Sequence, residues 1–146
     1  MARFYIGIDP GTNTGLAIWD SLRRQFERVG TFGIVTAMAE IVEFVRYHGI
    51  NRDDVEIVFE DARKRKYLPR EKDLSEYRGK LMGAGSVKRD CSIWEEFCKY
   101  YGFRRSAPPP RQGMTKWTPE YFARVTGWNG RTSNHARDAA LLVFGK

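Results

Sequence analysis

Phe4-Tyr5-Ile6-Gly7-Ile8-Asp9-Pro10-Gly11-Thr12-Asn13-Thr14-Gly15 is the stretch on which the fold turns. Its opening run is apolar, aromatic and β-branched, and the residues after it are turn formers, so it reads as a strand feeding a tight turn. Leu16 to Trp19 gives a second strand, Asp20 to Gln25 a polar turn, and Phe26 to Ile34 a third strand. Three sequential strands on short turns predict an antiparallel meander. Beyond it, Ala37, Ile41, Phe44, Val45 and His48 recur at helical spacing, and Gly49 is a good stop. Val55-Glu56-Ile57-Val58-Phe59 is a fourth strand, ending at Glu60-Asp61. A helix between it and the meander implies a crossover and a central place in the sheet. The expected fold is α/β over one domain, residues 1–146. Its mixed five-stranded sheet would join the meander to parallel strands, with helices flanking it.

The rest of the chain supplies the remaining elements. Residues 63–80 show no clear periodicity and predict a loop. Gly83-Ala84-Gly85-Ser86 precedes a helix from about Val87 to Tyr101, and its backbone N–H groups either meet a phosphate or simply form a turn. A short strand near Phe103 to Ala107 is cut off by Pro108-Pro109-Pro110. Thr118-Pro119-Glu120 is a helix start with a capping hydroxyl, an early proline and an acid; that helix runs to about Thr126. The last helix begins near Ser133. On the helix from Val87, Cys91, Trp94, Cys98 and Tyr101 share one arc, and Ile93, Phe97 and Tyr100 the next. Together they span about 180°, wider than the roughly 100° that one core contact needs. Either this helix is buried on two sides or its second face meets another subunit. Cys91 and Cys98, seven apart, read as core thiols; Asp90, inside the arc, has no reading.

Charge adds a direction. The chain has 146 residues, with 25 Lys+Arg against 18 Asp+Glu, a net of +7. The excess is local: +5 between Arg63 and Lys80, +5 between Lys99 and Trp117, and −3 over the remainder. Such a balance favours a polyanionic partner. Enough of the chain is apolar to build a core, which excludes a disordered tail. No apolar run approaches the roughly 18 residues of a membrane span, and the start lacks signal-peptide architecture. Two cysteines make no disulfide scaffold and suggest a reducing, cytoplasmic setting.

Three acids sit awkwardly in apolar surroundings. Asp9 and Glu60 end strands, and Asp138 lies in Asn134-His135-Ala136-Arg137-Asp138-Ala139-Ala140-Leu141-Leu142. A carboxylate at a buried edge is costly unless paired, and a divalent cation is one partner. His135 and Asp138 are three apart on one helix face. If the first and fourth strands are neighbours, Asp9 and Glu60 meet at one sheet end, and the last helix completes a four-ligand cluster suited to Mg²⁺ or Mn²⁺. Each residue has an ordinary explanation: a turn former, a surface ion pair between Glu60 and Arg63, a structural histidine. The joint pattern favours the cluster. Asp61 is the alternative to Glu60, but successive strand residues face opposite ways, and Glu60 is preferred.

Residues 4–17, Glu60 after Ile57-Val58-Phe59, and His135-Ala136-Arg137-Asp138-Ala139-Ala140-Leu141 together resemble RuvC-type Holliday junction resolvases of the RNase H-like nuclease superfamily. The order and spacing hold over nearly the whole chain. The resemblance implies a homodimer that nicks four-way DNA junctions in pairs, leaving 5′ phosphate and 3′ hydroxyl ends. Asp9, Glu60, His135 and Asp138 would hold two divalent ions, and Lys116 would support them as a phosphate-facing cation. Arg63, Lys64, Arg65, Lys66, Arg70, Lys72, Arg104, Arg105, Arg111 and Lys116 would contact DNA. Trp94, Phe97 and Tyr101 would form the dimer face. Tyr67, Tyr77, Trp117 and Trp128 are candidates for stacking on bases, at least half of them packing residues. Where that family often places an aromatic wedge after the Glu, this chain has Arg63. The rival readings are a flap- or ribosomal-RNA-processing nuclease of the same superfamily, and a non-catalytic DNA-binding module. An actin-like ATPase requires two such domains, and the length argues against it.

Overall fold

The computed structural model describes residues 1–65 and 74–146, with the side chains of Leu74 and Tyr77 outside that description. Five strands form one sheet: β1 (Phe4–Asp9), β2 (Thr14–Asp20), β3 (Gln25–Phe32), β4 (Val55–Phe59) and β5 (Arg104–Ser106). Their order is β3-β2-β1-β4-β5. β1 pairs antiparallel with β2 and β2 with β3, whereas β4 runs parallel to β1 and β5 parallel to β4. The expected mixed sheet, meander first and parallel strands after the crossover, is therefore present.

Period-two alternation divides the core between the two faces. Phe4, Ile6 and Ile8 of β1 and Val55, Ile57 and Phe59 of β4 point to one side. There they pack under α1 (Ile34–Tyr47), through Ala37 and Ile41, and under α2 (Leu74–Tyr101), through Cys91, Trp94, Phe97 and Cys98. Tyr5, Ala17, Trp19 and Val58 point to the other, against Phe122 of α3 (Pro119–Thr126) and Ala136, Ala139 and Ala140 of α4 (Asn134–Leu141). The residues that follow these strands inherit the same parity. Asp9 and Glu60 fall on the α4 side, and Asp61 on the α2 side.

Local signals set the helix ends. Thr118 caps α3 by accepting from the Tyr121 N–H at 3.1 Å, and Gly127 closes it in the left-handed conformation at φ 74°. Ser133 caps α4 through the Ala136 N–H at 3.1 Å and also bonds Thr31 of β3 at 2.5 Å. α4 lies so near the sheet that two glycines are required. A Cβ at Gly15 would stand 1.9 Å from the His135 carbonyl oxygen, and one at Gly7 2.0 Å from that of Ala139.

Two expectations fail here. The loop drawn through residue 80 is already helix from Leu74, so Gly83-Ala84-Gly85-Ser86 lies inside α2 rather than ahead of it. The three glycines and the mixed charges hide that helix, since each glycine weakens helical propensity by up to about 1 kcal/mol. Two of the three residues expected at a dimer face, Trp94 and Phe97, are instead core residues of the subunit, and Tyr101 is half-buried. Trp94 is fully enclosed and Phe97 nearly so, and Phe97 and Tyr101 stack on Phe103 at 5.9 and 6.1 Å. Burial within the subunit accounts for Cys91, Trp94, Phe97 and Cys98 of that arc, while Tyr100 is exposed. Cys91 and Cys98 are buried free thiols, and burial pushes the Cys98 thiol up to about 11. Asp90 is buried beside them.

Candidate active site

Asp9, Glu60 and Asp138 line one cleft of about 330 Å³ at the end of the sheet where β1 and β4 finish. The first two stand one step past Ile8 and Phe59, the last paired residues of those parallel neighbours. Asp138 arrives from α4, which crosses the sheet at this end. Ile8, Leu141 and Leu142 give the cleft apolar walls, while Arg65, Arg111 and Lys116 bring positive charge. His135 is not part of the cleft wall. It joins the group through Asp9, whose Oδ2 accepts from Nδ1 at 2.8 Å. That contact engages Nδ1 and leaves Nε2, on the far edge of the ring, outside the Asp9 hydrogen bond.

Each carboxylate has a positive or imidazole partner. Arg111 Nε donates to Glu60 Oε1 at 2.7 Å. The Lys116 ammonium donates to Asp138 Oδ2. Asp9 differs from the others in its electrostatics. Burial pushes its carboxyl above the ordinary value of 3.8; the His135 contact opposes this, Asp138 adds to it, and Lys116 relieves part of it. A charge disfavoured by burial, with a second carboxylate nearby, is stabilised by an added cation.

The donor chemistry therefore fits a hard divalent ion: three carboxylates and an imidazole gather around one cleft, and burial disfavours the Asp9 charge that a cation would stabilise. Among the described residues, though, no three His, Cys, Asp or Glu side chains stand together as a ready-made binding group. The sequence-predicted donors are brought to one place but not to one point, and Glu60 and Asp138 are paired with Arg111 and Lys116 instead.

Many predicted DNA-contacting bases are already engaged with the protein. Arg63 grips Asp61, from Nε to Oδ1 at 2.8 Å and Nη2 to Oδ2 at 2.7 Å, and also meets Glu95 at 2.8 Å and Ser92 at 3.2 Å. The expected Glu60–Arg63 surface pair is thus an Asp61–Arg63 pair. Arg105 reaches Glu95 at 3.2 Å. Lys64 donates to the Ala107 carbonyl and Arg104 to that of Asp53. Lys64, Arg104 and Arg105 nonetheless border an open depression of about 570 Å³ along β5. Lys66, Arg70 and Lys72, Tyr67 and the Tyr77 side chain lie outside the described residues. Trp117 packs on Tyr121 at 4.7 Å, and Trp128 packs against the α3–α4 core, so both serve in packing.

The partners of three residues in this neighbourhood escape sequence reasoning. Arg111 is separated from Glu60 by 51 positions, and only the fold joins them. Asp61 is buried at 2% exposure and organises the α2 side of the β4 end. Arg137, buried at 6%, holds the carbonyls of Trp117 and Thr132 at 2.8 Å each and Asn134 Oδ1 at 2.6 Å. Its signal was its place inside the His-Ala-Arg-Asp string.

No family profile, curated protein or solved structure matches the chain. Among the described residues, no helix is long and apolar enough to cross a membrane.

Proposed function

We propose that this chain is a divalent-metal-dependent, structure-selective DNA endonuclease with an RNase H-like fold, of the RuvC type. The observation that carries the reading is the meeting of Asp9, Glu60 and Asp138 in one cleft bordered by basic residues, with His135 hydrogen-bonded to Asp9. The β3-β2-β1-β4-β5 order supports it, because that layout puts the first and fourth strand ends side by side. The substrate is branched DNA, foremost a four-way junction cut by paired nicks to 5′ phosphate and 3′ hydroxyl ends. A homodimer acting in the cytoplasm completes the proposal, since a twofold enzyme matches a twofold junction.

Asp9, Glu60, His135 and Asp138 would hold two Mg²⁺ or Mn²⁺ ions, which supply water activation and neutralise charge on the phosphate and the leaving oxygen. Asp9 orients the His135 ring through Nδ1 and leaves Nε2 as its donor to metal. Lys116 and Arg111 bring positive charge to the cleft where a phosphate would enter, and the apolar walls at Ile8 and Leu142 limit water around it.

The test compares a four-way junction, a flap, a linear duplex and an RNA–DNA hybrid, each with Mg²⁺ or Mn²⁺ and with chelator. The junction should be cut in metal only. Equal cutting of linear duplex would remove the resolvase label, and undiminished cutting in chelator would remove the metal centre. One observation favours a second reading, in which flaps or other branched DNA are preferred. Arg63, at the place of the resembled family's wedge, is folded back on Asp61 and Glu95, so among the described residues that place offers no side chain to insert into a junction.

A further inference from the structure

We infer that residues 108–117 form a cationic strap, in which Arg111 and Lys116 hold Glu60 and Asp138 until a divalent cation takes the carboxylates and a DNA phosphate takes the two side chains. The inference rests on the nuclease reading and adds how that centre is loaded.

The strap is pinned at both ends. The Asp61 N–H donates to the Pro108 carbonyl at 2.8 Å, and Arg137 Nε donates to the Trp117 carbonyl at 2.8 Å. Each anchor is a sequence neighbour of a candidate ligand, Asp61 following Glu60 and Arg137 preceding Asp138. The two anchors are themselves buried, at 2% and 6% exposure. Between them the strap's two cations lie on the two carboxylates, Arg111 Nε at 2.7 Å from Glu60 Oε1 and Lys116 against Asp138 Oδ2.

The cations are the mobile partners. The Arg111 and Lys116 side chains are 39% and 65% exposed, against 28% for each carboxylate. Both can swing outward without unpacking the core, while the pinned backbone keeps them beside the cleft. The charges favour an exchange over a simple release. A divalent ion brings two positive charges to oxygens that one strap cation now neutralises, so the displaced side chain stands in a surplus of positive charge. A phosphate matches that surplus, and both Arg and Lys bind phosphate well. Metal and DNA would then compete with the strap from opposite sides, each favouring the other.

The test uses the full chain, with Mn²⁺ alone as the first probe and a labelled four-way junction in chelator as the second. Calorimetry of Mn²⁺ is compared for the wild type, Arg111→Gln, Lys116→Gln and Asp9→Asn; anisotropy gives junction affinity at several salt concentrations. Removing one strap cation should tighten Mn²⁺ by up to about fivefold, the upper end of the range expected for a partly exposed ion pair. It should also weaken junction binding and lower the salt slope by about 1. Opposite signs are the signature. Damage to the fold weakens both, and a plain phosphate contact leaves Mn²⁺ binding unchanged; either result overturns the strap. If one glutamine variant fails to fold, the other carries the test. Asp9→Asn separates the two levels of the proposal. Equal Mn²⁺ binding by Asp9→Asn and wild type removes the metal centre and the strap with it. Weaker binding by Asp9→Asn, with no tightening in the strap variants, removes the strap alone.

Discussion

Asp9 and Asp61 follow adjacent parallel strands at the same end of the sheet, yet their surroundings are opposite. Asp61, on the α2 side, accepts two bonds from the Arg63 guanidinium and one from the Arg63 N–H at 3.0 Å. That grip holds its carboxyl below the ordinary 3.8, although burial works the other way. Asp9, on the α4 side, has one hydrogen-bond partner in His135, and burial outweighs it to push the carboxyl up. One carboxylate is fully satisfied by the fold. The other is left with a charge that the fold does not fully offset, in a cleft, which is the condition under which an acid does chemistry rather than holding elements together. Which face of the sheet a residue reaches decides its role, and a single step along the chain reverses it.

The largest expected effect breaks the Asp9 side of the comparison. Asp9→Asn keeps size and hydrogen bonding but removes the charge, and cleavage of a junction should fall by about 10³-fold or more. Junction affinity in a gel-shift assay should change little, because the basic residues remain. Cutting at the wild-type rate would assign Asp9 to the turn alone. Gly15→Ala attacks the same side without touching a charge. Its Cβ would meet the His135 carbonyl at 1.9 Å, so α4 must move and carry His135 and Asp138 with it. Overpacking of this kind costs about 1–3 kcal/mol or more. The thermal midpoint should drop, and cleavage should fall more steeply than folded fraction. A folded variant with full activity would show that α4 need not sit where it does.

The meander, the crossover, the cap at Thr118 and the start of the last helix near Ser133 were legible in the sequence, because each rests on local patterns. So was the placing of Glu60 and Asp61 on opposite faces, since alternation along a strand needs only parity. The Asp61–Arg63 grip needed one more fact: that α2 lies over that face and supplies Glu95 behind the arginine. The Arg111–Glu60 and Lys116–Asp138 pairs were out of reach, because their members lie 51 and 22 positions apart and their contact depends on the path of the 108–117 segment. The apolar arc on α2 gave two options, and the choice between core and partner required knowing that Phe103 returns beneath it.

Acid should sharpen the contrast, because the two residues contribute to stability with opposite sign. Asp61 has a lowered carboxyl, so its contribution is complete above the unfolded-state value and is lost as pH falls through the lower folded-state one. Asp9 has a raised carboxyl, so its ionisation weakens the fold as pH rises through the unfolded and then the folded-state value, and acid relieves that cost. Asp61→Asn should therefore lose about 1–3 kcal/mol at neutral pH, with the deficit shrinking below about pH 4. Asp9→Asn should be as stable as wild type or more so at neutral pH, and its advantage should fade on acidification. Chemical denaturation of the three proteins between pH 3 and pH 7 reads both trends. Parallel curves for the two variants would collapse the distinction.

The smallest effect probes Arg63, which sequence reasoning assigned to DNA and the fold assigns to Asp61. Arg63→Lys keeps the charge but replaces a planar fork with a single ammonium, which cannot match both carboxylate oxygens while also reaching Glu95 and Ser92. Stability should fall by about 1 kcal/mol, since one charge-assisted hydrogen bond is lost while the buried Asp61 keeps the residue-63 backbone N–H and the new ammonium. Junction affinity and its salt slope should stay at the wild-type values, because a guanidinium already committed to two acids contributes no phosphate contact to lose. A drop in the slope by about 1 with unchanged stability would reverse that assignment and place Arg63 on the DNA. It would also weaken the contrast between the two strand ends, since the satisfaction of Asp61 depends on this one side chain staying where it is.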